Sequence, residues 1–149
     1  MQENLISKTL KGNKSDIPIW FLRQAGRHIP EYFTIRKKET NFIKFCLNEE
    51  LIIKSTNLPL KYYDLDAAII FSDILMIPWA MNRNVKFTKN FGPSLNPMIP
   101  DETNIIQNLS ISSKLQPLKN AISYLRNTLP NYWINWFCRG SLDFSLLYD

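Results

Sequence analysis

Residues Ala67-Ala68-Ile69-Ile70-Phe71 form an unbroken run of five apolar side chains. A strand with one wet face alternates polar and apolar residues. A run without alternation is dry on both faces, as in parallel sheets covered by helices. A chain of 149 residues, 45% hydrophobic, is long enough to bury such a strand in a real core. Its 13% aromatic content excludes a solvated coil.

The flanking pattern supplies the helices. Pro18 to Leu22 reads as a second short buried strand with a proline at its mouth. Pro30 suits the first turn of a helix reaching about Lys38, with Glu31 near its positive end and Arg36, Lys37 and Lys38 near its negative end. A helix capped by Asn48 is expected to run toward Tyr63, with Leu51, Ile52, Ser55, Leu58 and Tyr62 on one face and Pro59 kinking or ending it. Val85 to Thr88 reads as a short extra strand, and Asn90 to Asn104 as a long loop. Ser113 to about Leu129 reads as an amphipathic helix with Leu115, Leu118, Ile122 and Leu125 on one side. Strands alternating with helices give an α/β fold with a parallel sheet.

Two stretches carry chemistry, each directly after a strand. They are Arg23-Gln24-Ala25-Gly26-Arg27 and Phe71-Ser72-Asp73. In parallel α/β folds, residues just past the carboxyl ends of strands meet at the face where ligands bind. Arg23, Arg27 and the nearby Arg36 offer forked, permanently charged groups suited to a substrate with several carboxylates. Taken singly, each arginine could instead pair with Glu31, Asp16 or a helix end. Asp73 could simply cap a helical segment from Ile74 to Met81. His28 reads as a surface or supporting residue, and Trp20, Phe21, Phe71 and Phe91 read as core.

Other classes find little support. Cys46, Cys138 and His28 do not have the spacing of a metal site, so no metal is expected. The net charge of +5 favours an anionic partner, but no nucleic-acid motif accompanies it. The polar start, Met1 to Ser15, is no targeting segment. The apolar stretch Ala67 to Met81 is interrupted by Ser72, Asp73 and Pro78, and falls short of the roughly 20 residues a spanning helix needs. A cytoplasmic protein without membrane or nucleic-acid partners is expected.

The stretch Pro18-Ile19-Trp20-Phe21-Leu22-Arg23-Gln24-Ala25-Gly26-Arg27, followed by Ile29-Pro30-Glu31-Tyr32, resembles the N-terminal signature of the uroporphyrinogen decarboxylase family. Asp66 to Leu75 resembles the family's second signature, and weaker agreement continues through Ile77-Pro78 and Gly92-Pro93. The resemblance implies the N-terminal portion of a (β/α)8 TIM barrel, homodimeric in the family, with no cofactor. It implies conversion of uroporphyrinogen to coproporphyrinogen by loss of four carboxyl groups as CO2. By the same resemblance, Asp73 faces the pyrrole N–H groups, and Arg23, Arg27 and Arg36 hold substrate carboxylates. Arg23 also matches a proposed proton donor, and Gln24 a pocket residue. The family usually has Tyr at His28, Arg at Phe33, Pro at Glu49, Gln at Leu58 and often Gly at Asn82. A strained turn is therefore expected at Asn82. Rival readings are a corrinoid-dependent methyltransferase relative and a non-catalytic fragment that binds tetrapyrrole or pairs with another chain.

A (β/α)8 barrel takes about 250 residues, so this chain is expected to be a truncated portion, inactive and poorly soluble alone. The family's later site residues, a serine and a histidine, have no counterpart in it. The family-like part is expected to span residues 1–134. After Pro130 the family expects an apolar strand and Gly-Ala-Pro-Trp-Thr. Here stands Trp136-Phe137-Cys138-Arg139-Gly140-Ser141-Leu142-Asp143. Read one base later, with permitted codons, this tail gives Gly-Phe-Val-Gly-Ala-Pro-Trp-Thr. Residues 135–149 are therefore read as a frameshifted tail, in which Tyr148 is no active-site tyrosine and Cys138 no reactive thiol.

Overall fold

The computed structural model describes residues 3–13, 16–88, 92–95 and 113–137. Its centre is the apolar run. Strand β1 (Ala67–Ile69) pairs in parallel with β4 (Trp133–Asn135), Ala68 standing opposite Ile134. The pairing extends at both ends, the Trp133 N–H donating to Asp66 O and the Ile70 N–H to Asn135 O. A parallel pair needs a crossover, and the described part of that crossover ends in a helix, as the alternating pattern predicts. Strands β2 (Val85–Thr88) and β3 (Gly92–Leu95) form a separate antiparallel hairpin. Strand β3 falls inside the stretch expected to be a loop. Except for Gly92 to Leu95, residues 90–104 lie outside the described residues.

The helices follow their sequence signals. Helix α1 (Leu5–Leu10), not foreseen, is capped by Asn4, whose Oδ1 accepts the Ser7 N–H at 2.9 Å. Helix α2 (Pro30–Arg36) begins at its proline. Helix α3 (Phe42–Cys46) is capped by Asn41, and α4 (Glu49–Asn57) by Asn48, which accepts the Leu51 N–H at 3.0 Å. Pro59 ends α4 and opens a single 3-10 turn, Pro59–Lys61. That turn swings Tyr62 off the buried face. Leu51, Ile52, Ser55 and Leu58 are buried as expected, whereas Tyr62 is half exposed and donates its hydroxyl to Glu31. Helix α5 (Met76–Ala80) follows the second chemical stretch, and α6 (Gln116–Thr128) precedes β4.

The core lies where α4, α5 and α6 meet the end of β1. Ile52, Ile70, Met76, Ala80, Leu118, Ala121 and Leu125 are buried there, with Ile122 partly so. Each such aliphatic side chain contributes roughly 1.5–3 kcal/mol on burial. Beyond α5 the chain turns at Asn82, whose φ of 64° lies in the left-handed region, as the departure from Gly at this position led us to expect. Lys114 reaches across to bond Asn82 Oδ1 and Ala80 O.

One element departs from expectation. Pro18 to Leu22 is not a buried strand. It is extended but irregular, and Ile17, Ile19, Trp20, Phe21 and Leu22 are all exposed. Its links to the sheet are at Ile19, whose carbonyl accepts the Asp66 N–H at 2.9 Å and whose N–H donates to the Asp66 carboxylate at 2.7 Å. Trp20 and Phe21 are therefore surface residues, Trp20 stacking on Phe137 at 6.1 Å and Phe21 meeting the edge of Tyr63 at 6.3 Å. Phe71 is packed against the core as expected, and Phe91 lies outside the described residues. An apolar run records a propensity to be covered, and covering requires a neighbour. Among the described residues the rings of Phe137 and Tyr63 meet this segment but leave its apolar side chains exposed. The described residues form two two-stranded sheets and no closed barrel. Of residues 135–149, only 135–137 are described.

Candidate substrate-binding site

The first chemical stretch is fastened to β1 by a side chain. Gln24 is buried, and its carboxamide spans two backbone groups of β1. Its Nε2 donates to Ala67 O at 2.8 Å, and its Oε1 accepts the Ile69 N–H at 3.0 Å. Residues 67 and 69 point to the edge opposite β4, because successive residues of a strand alternate sides. Gln24 thus occupies the place of a strand neighbour, with both of its polar ends satisfied. Arg23 and Arg27 lie on either side of it and are exposed. Neither makes a hydrogen bond or ion pair with Glu31, Asp16 or a helix end. His28 is also exposed, its ring 6.3 Å from Tyr63.

The second stretch leaves the carboxyl end of β1. The Phe71 N–H donates to Thr56 Oγ1 at 2.9 Å, and Thr56 is fully buried on α4. Two residues on, Asp73 Oδ1 accepts the Leu75 N–H at 2.8 Å, and Asp73 O accepts from Met76. Asp73 therefore does cap the turn into α5, which starts at Met76 rather than at Ile74. One carboxylate oxygen is used in this way. The group is half-buried, and burial raises its pKa above the ordinary value of 3.8, opposed by the Leu75 N–H.

Arg36 sits at the end of α2 with its guanidinium turned onto that helix's exit. It donates to the carbonyls of Glu39 and Thr40 and lies over the rings of Phe42 and Phe45, 5.5 and 5.2 Å from their centroids. Both carbonyls lie in the loop between α2 and α3, so the guanidinium braces that link; it is neither paired with Glu31 or Asp16 nor bonded to a carbonyl of the helix end. Its charge still reaches two buried groups. Burial raises the Tyr32 phenol, against the pull of Arg36 and, more weakly, of Arg27. Burial pushes the Cys46 thiol up to about 12; the Asp73 carboxylate adds to the rise, and the Asp73 backbone and Arg36 oppose it.

Ring contacts locate two of the candidates relative to one another. Arg36 lies over Phe45, whose ring meets Tyr32 at 6.5 Å and Phe71 at 5.3 Å, and Asp73 follows Phe71 by two residues. Arg27 is exposed just before α2. Arg23 stands further out, exposed beside Gln24. Thr56 and Cys46 are residues that the sequence reading did not place here. Thr56 carried one signal, a polar residue beside Ser55 on the buried side of α4. Cys46 carried none, since its position depends on how α3 packs. Among the described residues no three His, Cys, Asp or Glu side chains come together to hold a metal, and no helix is long and apolar enough to cross a membrane.

Comparison with known proteins bears directly on this arrangement. The model of the uroporphyrinogen decarboxylase family matches residues 1–141. The chain belongs to the uroporphyrinogen decarboxylase family. Among the relatives that carry this name, the protein of Agrobacterium fabrum is 39% identical over 132 residues, 88% of this chain and 38% of the relative. That of Rickettsia massiliae is 40% identical over 126 residues, 85% of this chain and 36% of the relative. That of Brucella anthropi is 39% identical over 114 residues, 76% of this chain and 33% of the relative. The chain spans about a third of the length of the relatives it matches. The matched stretch includes both chemical segments and helices α2 to α5.

Proposed function

We propose that this chain carries the carboxylate-holding and pyrrole-facing part of a uroporphyrinogen decarboxylase site. The reaction removes CO2 from four acetate side chains of uroporphyrinogen and leaves methyl groups. Each departure leaves an electron pair, and the pyrrole ring, protonated at carbon, accepts it; a proton then adds to the exocyclic carbon to complete the methyl group, and the ring carbon gives up its proton to restore the pyrrole. No external electron sink enters this scheme. The protein's task is to hold a polyanion and to balance a transiently cationic ring.

The observation that carries the reading is the fastening of the Arg23 to Arg27 stretch to β1 by the buried Gln24, with Asp73 on the segment that leaves the carboxyl end of the same strand. In this reading Arg23 and Arg27, exposed and without an ion pair to any carboxylate among the described residues, take those of the substrate. Arg36, committed to two carbonyls, adds positive potential and turns to a carboxylate only by giving up a bond to the loop after α2. Asp73, with one oxygen tied to Leu75, keeps the other for the pyrrole N–H groups. An ionised carboxylate kept half-buried is most stabilised when cationic charge develops on the ring, which favours the transition state over the neutral ground state. The parallel β1–β4 pair is read as an arc of the family's barrel, the remaining arc being supplied by the further two thirds that the relatives possess. Turnover is assigned to that complete assembly, in which a later serine and histidine join the site, and which the family forms as a homodimer.

Titration of the purified chain with uroporphyrin, an oxidised tetrapyrrole polycarboxylate, tests the reading. Saturable binding weakened at least tenfold by Arg27→Ala is expected. Binding unchanged by that substitution would overturn the carboxylate role.

A further inference from the structure

We propose that Gln24 is a positioning residue that acts through Arg23 and Arg27, and that its carboxamide does not touch substrate. This rests on the substrate reading above only for what Arg23 and Arg27 hold; the mechanical part stands on the geometry alone.

Three observations converge. The chain before Gln24 does not form a strand, and its backbone links to the sheet stop at Ile19 and Asp66. Beyond that point β1 would have bare backbone groups at Ala67 O and Ile69 N on this edge. Gln24 supplies one donor and one acceptor with the spacing of the missing neighbour, at 2.8 and 3.0 Å. Finally, the side chain is 3% exposed, so neither end of the amide is turned to solvent or to a ligand site. A glutamine amide has two donors and an acceptor. One hydrogen bond at each end, on the edge of a strand, fixes its orientation and therefore the path of its own backbone.

The consequence falls on its neighbours. Arg23 and Arg27 are exposed, and Gly26 lies between Gln24 and Arg27, its carbonyl accepting the Ile29 N–H at 3.1 Å. That bond holds the far side of Arg27 to the start of α2, while the Gln24 amide supplies the hydrogen bonds that tie the stretch to β1, and the two together set the direction in which the guanidinium groups leave the sheet. The chain leaving the same strand runs on to Phe71 and Asp73, so this amide sets the arginines in register with the carboxylate. Misplacing a fixed charge by about 1 Å is enough to weaken a site substantially.

The test combines amide exchange with a binding cycle in the full chain. Gln24→Met keeps the length and removes both polar ends. It is expected to speed exchange of the Ile69 N–H at least about tenfold, the effect of one lost hydrogen bond. It is also expected to weaken uroporphyrin binding, and adding Arg27→Ala to it should then cost much less than in the parent chain. Unchanged Ile69 exchange overturns the proposal, and so does a fully additive cycle, which would mark Gln24 as a direct contact. If the parent chain fails to bind uroporphyrin, the substrate reading falls while the exchange measurement still decides the positioning role. Should Gln24→Met fail to fold, Gln24→Glu keeps an acceptor for the Ile69 N–H. Protection of that amide in the Glu variant supports the proposal, and its loss overturns it.

Discussion

Thr56 accepts the N–H of Phe71 through its hydroxyl, at 2.9 Å, from a fully buried position on α4. The segment that leads from β1 to Asp73 is therefore fastened to a helix by a side chain rather than by a further strand. Thr56→Val keeps the shape and removes the acceptor, leaving the Phe71 amide without a partner. A loss of roughly 1–3 kcal/mol is expected from the urea midpoint. Thr56→Ser retains the hydroxyl and is expected to lose about 1 kcal/mol, for its missing methyl. Equal stability of the two variants would show that the hydroxyl has no such role.

Asp73 pairs a functional demand with a folding cost. Its pKa is raised by burial, so between the ordinary value of 3.8 and its raised value the folded chain binds more protons than the unfolded chain. The stability contribution of this group therefore falls as pH rises through that window. Asp73→Asn does not titrate and can still accept from Leu75. Relative to the parent, the variant is expected to gain stability as pH rises from about 4 to about 7. It is also expected to lose uroporphyrin binding, because an amide N–H would face the pyrrole N–H groups. Parallel stability profiles for the two proteins would refute the burial argument.

Arg36 and Arg23 should separate in a stability assay although both are read as site residues. Arg36→Met removes two guanidinium–carbonyl bonds and the contact with Phe42 and Phe45, a loss of roughly 1–3 kcal/mol. Arg23→Met, at an exposed position, should stay within about 0.5 kcal/mol of the parent. Chemical denaturation of the two variants side by side decides the matter.

Asn82 holds a φ of 64° where the chain leaves α5. Both Asn82→Gly and Asn82→Val lose the contact with Lys114, so the difference between them isolates the backbone. The valine variant is expected to be less stable than the glycine variant by roughly 1–2 kcal/mol. Thermal unfolding midpoints that coincide would show that the turn is unstrained.

The reading of residues 135–149 as a frameshifted tail is tested by the nucleotide sequence from codon 130 onward. A shifted frame that encodes Gly-Ala-Pro-Trp-Thr and continues through the family's later residues is expected. A shifted frame interrupted by stop codons would refute it.

The sequence by itself determined where two of the helices begin. Pro30 and Asn48 each open a helix because a fixed φ or a side-chain cap acts within a few residues of backbone. It also determined that Ala67 to Phe71 would be buried, since unalternating apolar side chains have no wet face to offer. It marked Arg23, Arg27 and Asp73 through motifs long enough to identify a family. Only the tertiary structure decided that Pro18 to Leu22 stays exposed and that Gln24 replaces a strand neighbour. Those outcomes depend on which groups meet across 40 or more residues of chain, as with Gln24 and Ala67 or Ile69. A local pattern shows what a residue can do with its neighbours in sequence; a buried amide or a free guanidinium is defined by its neighbours in space.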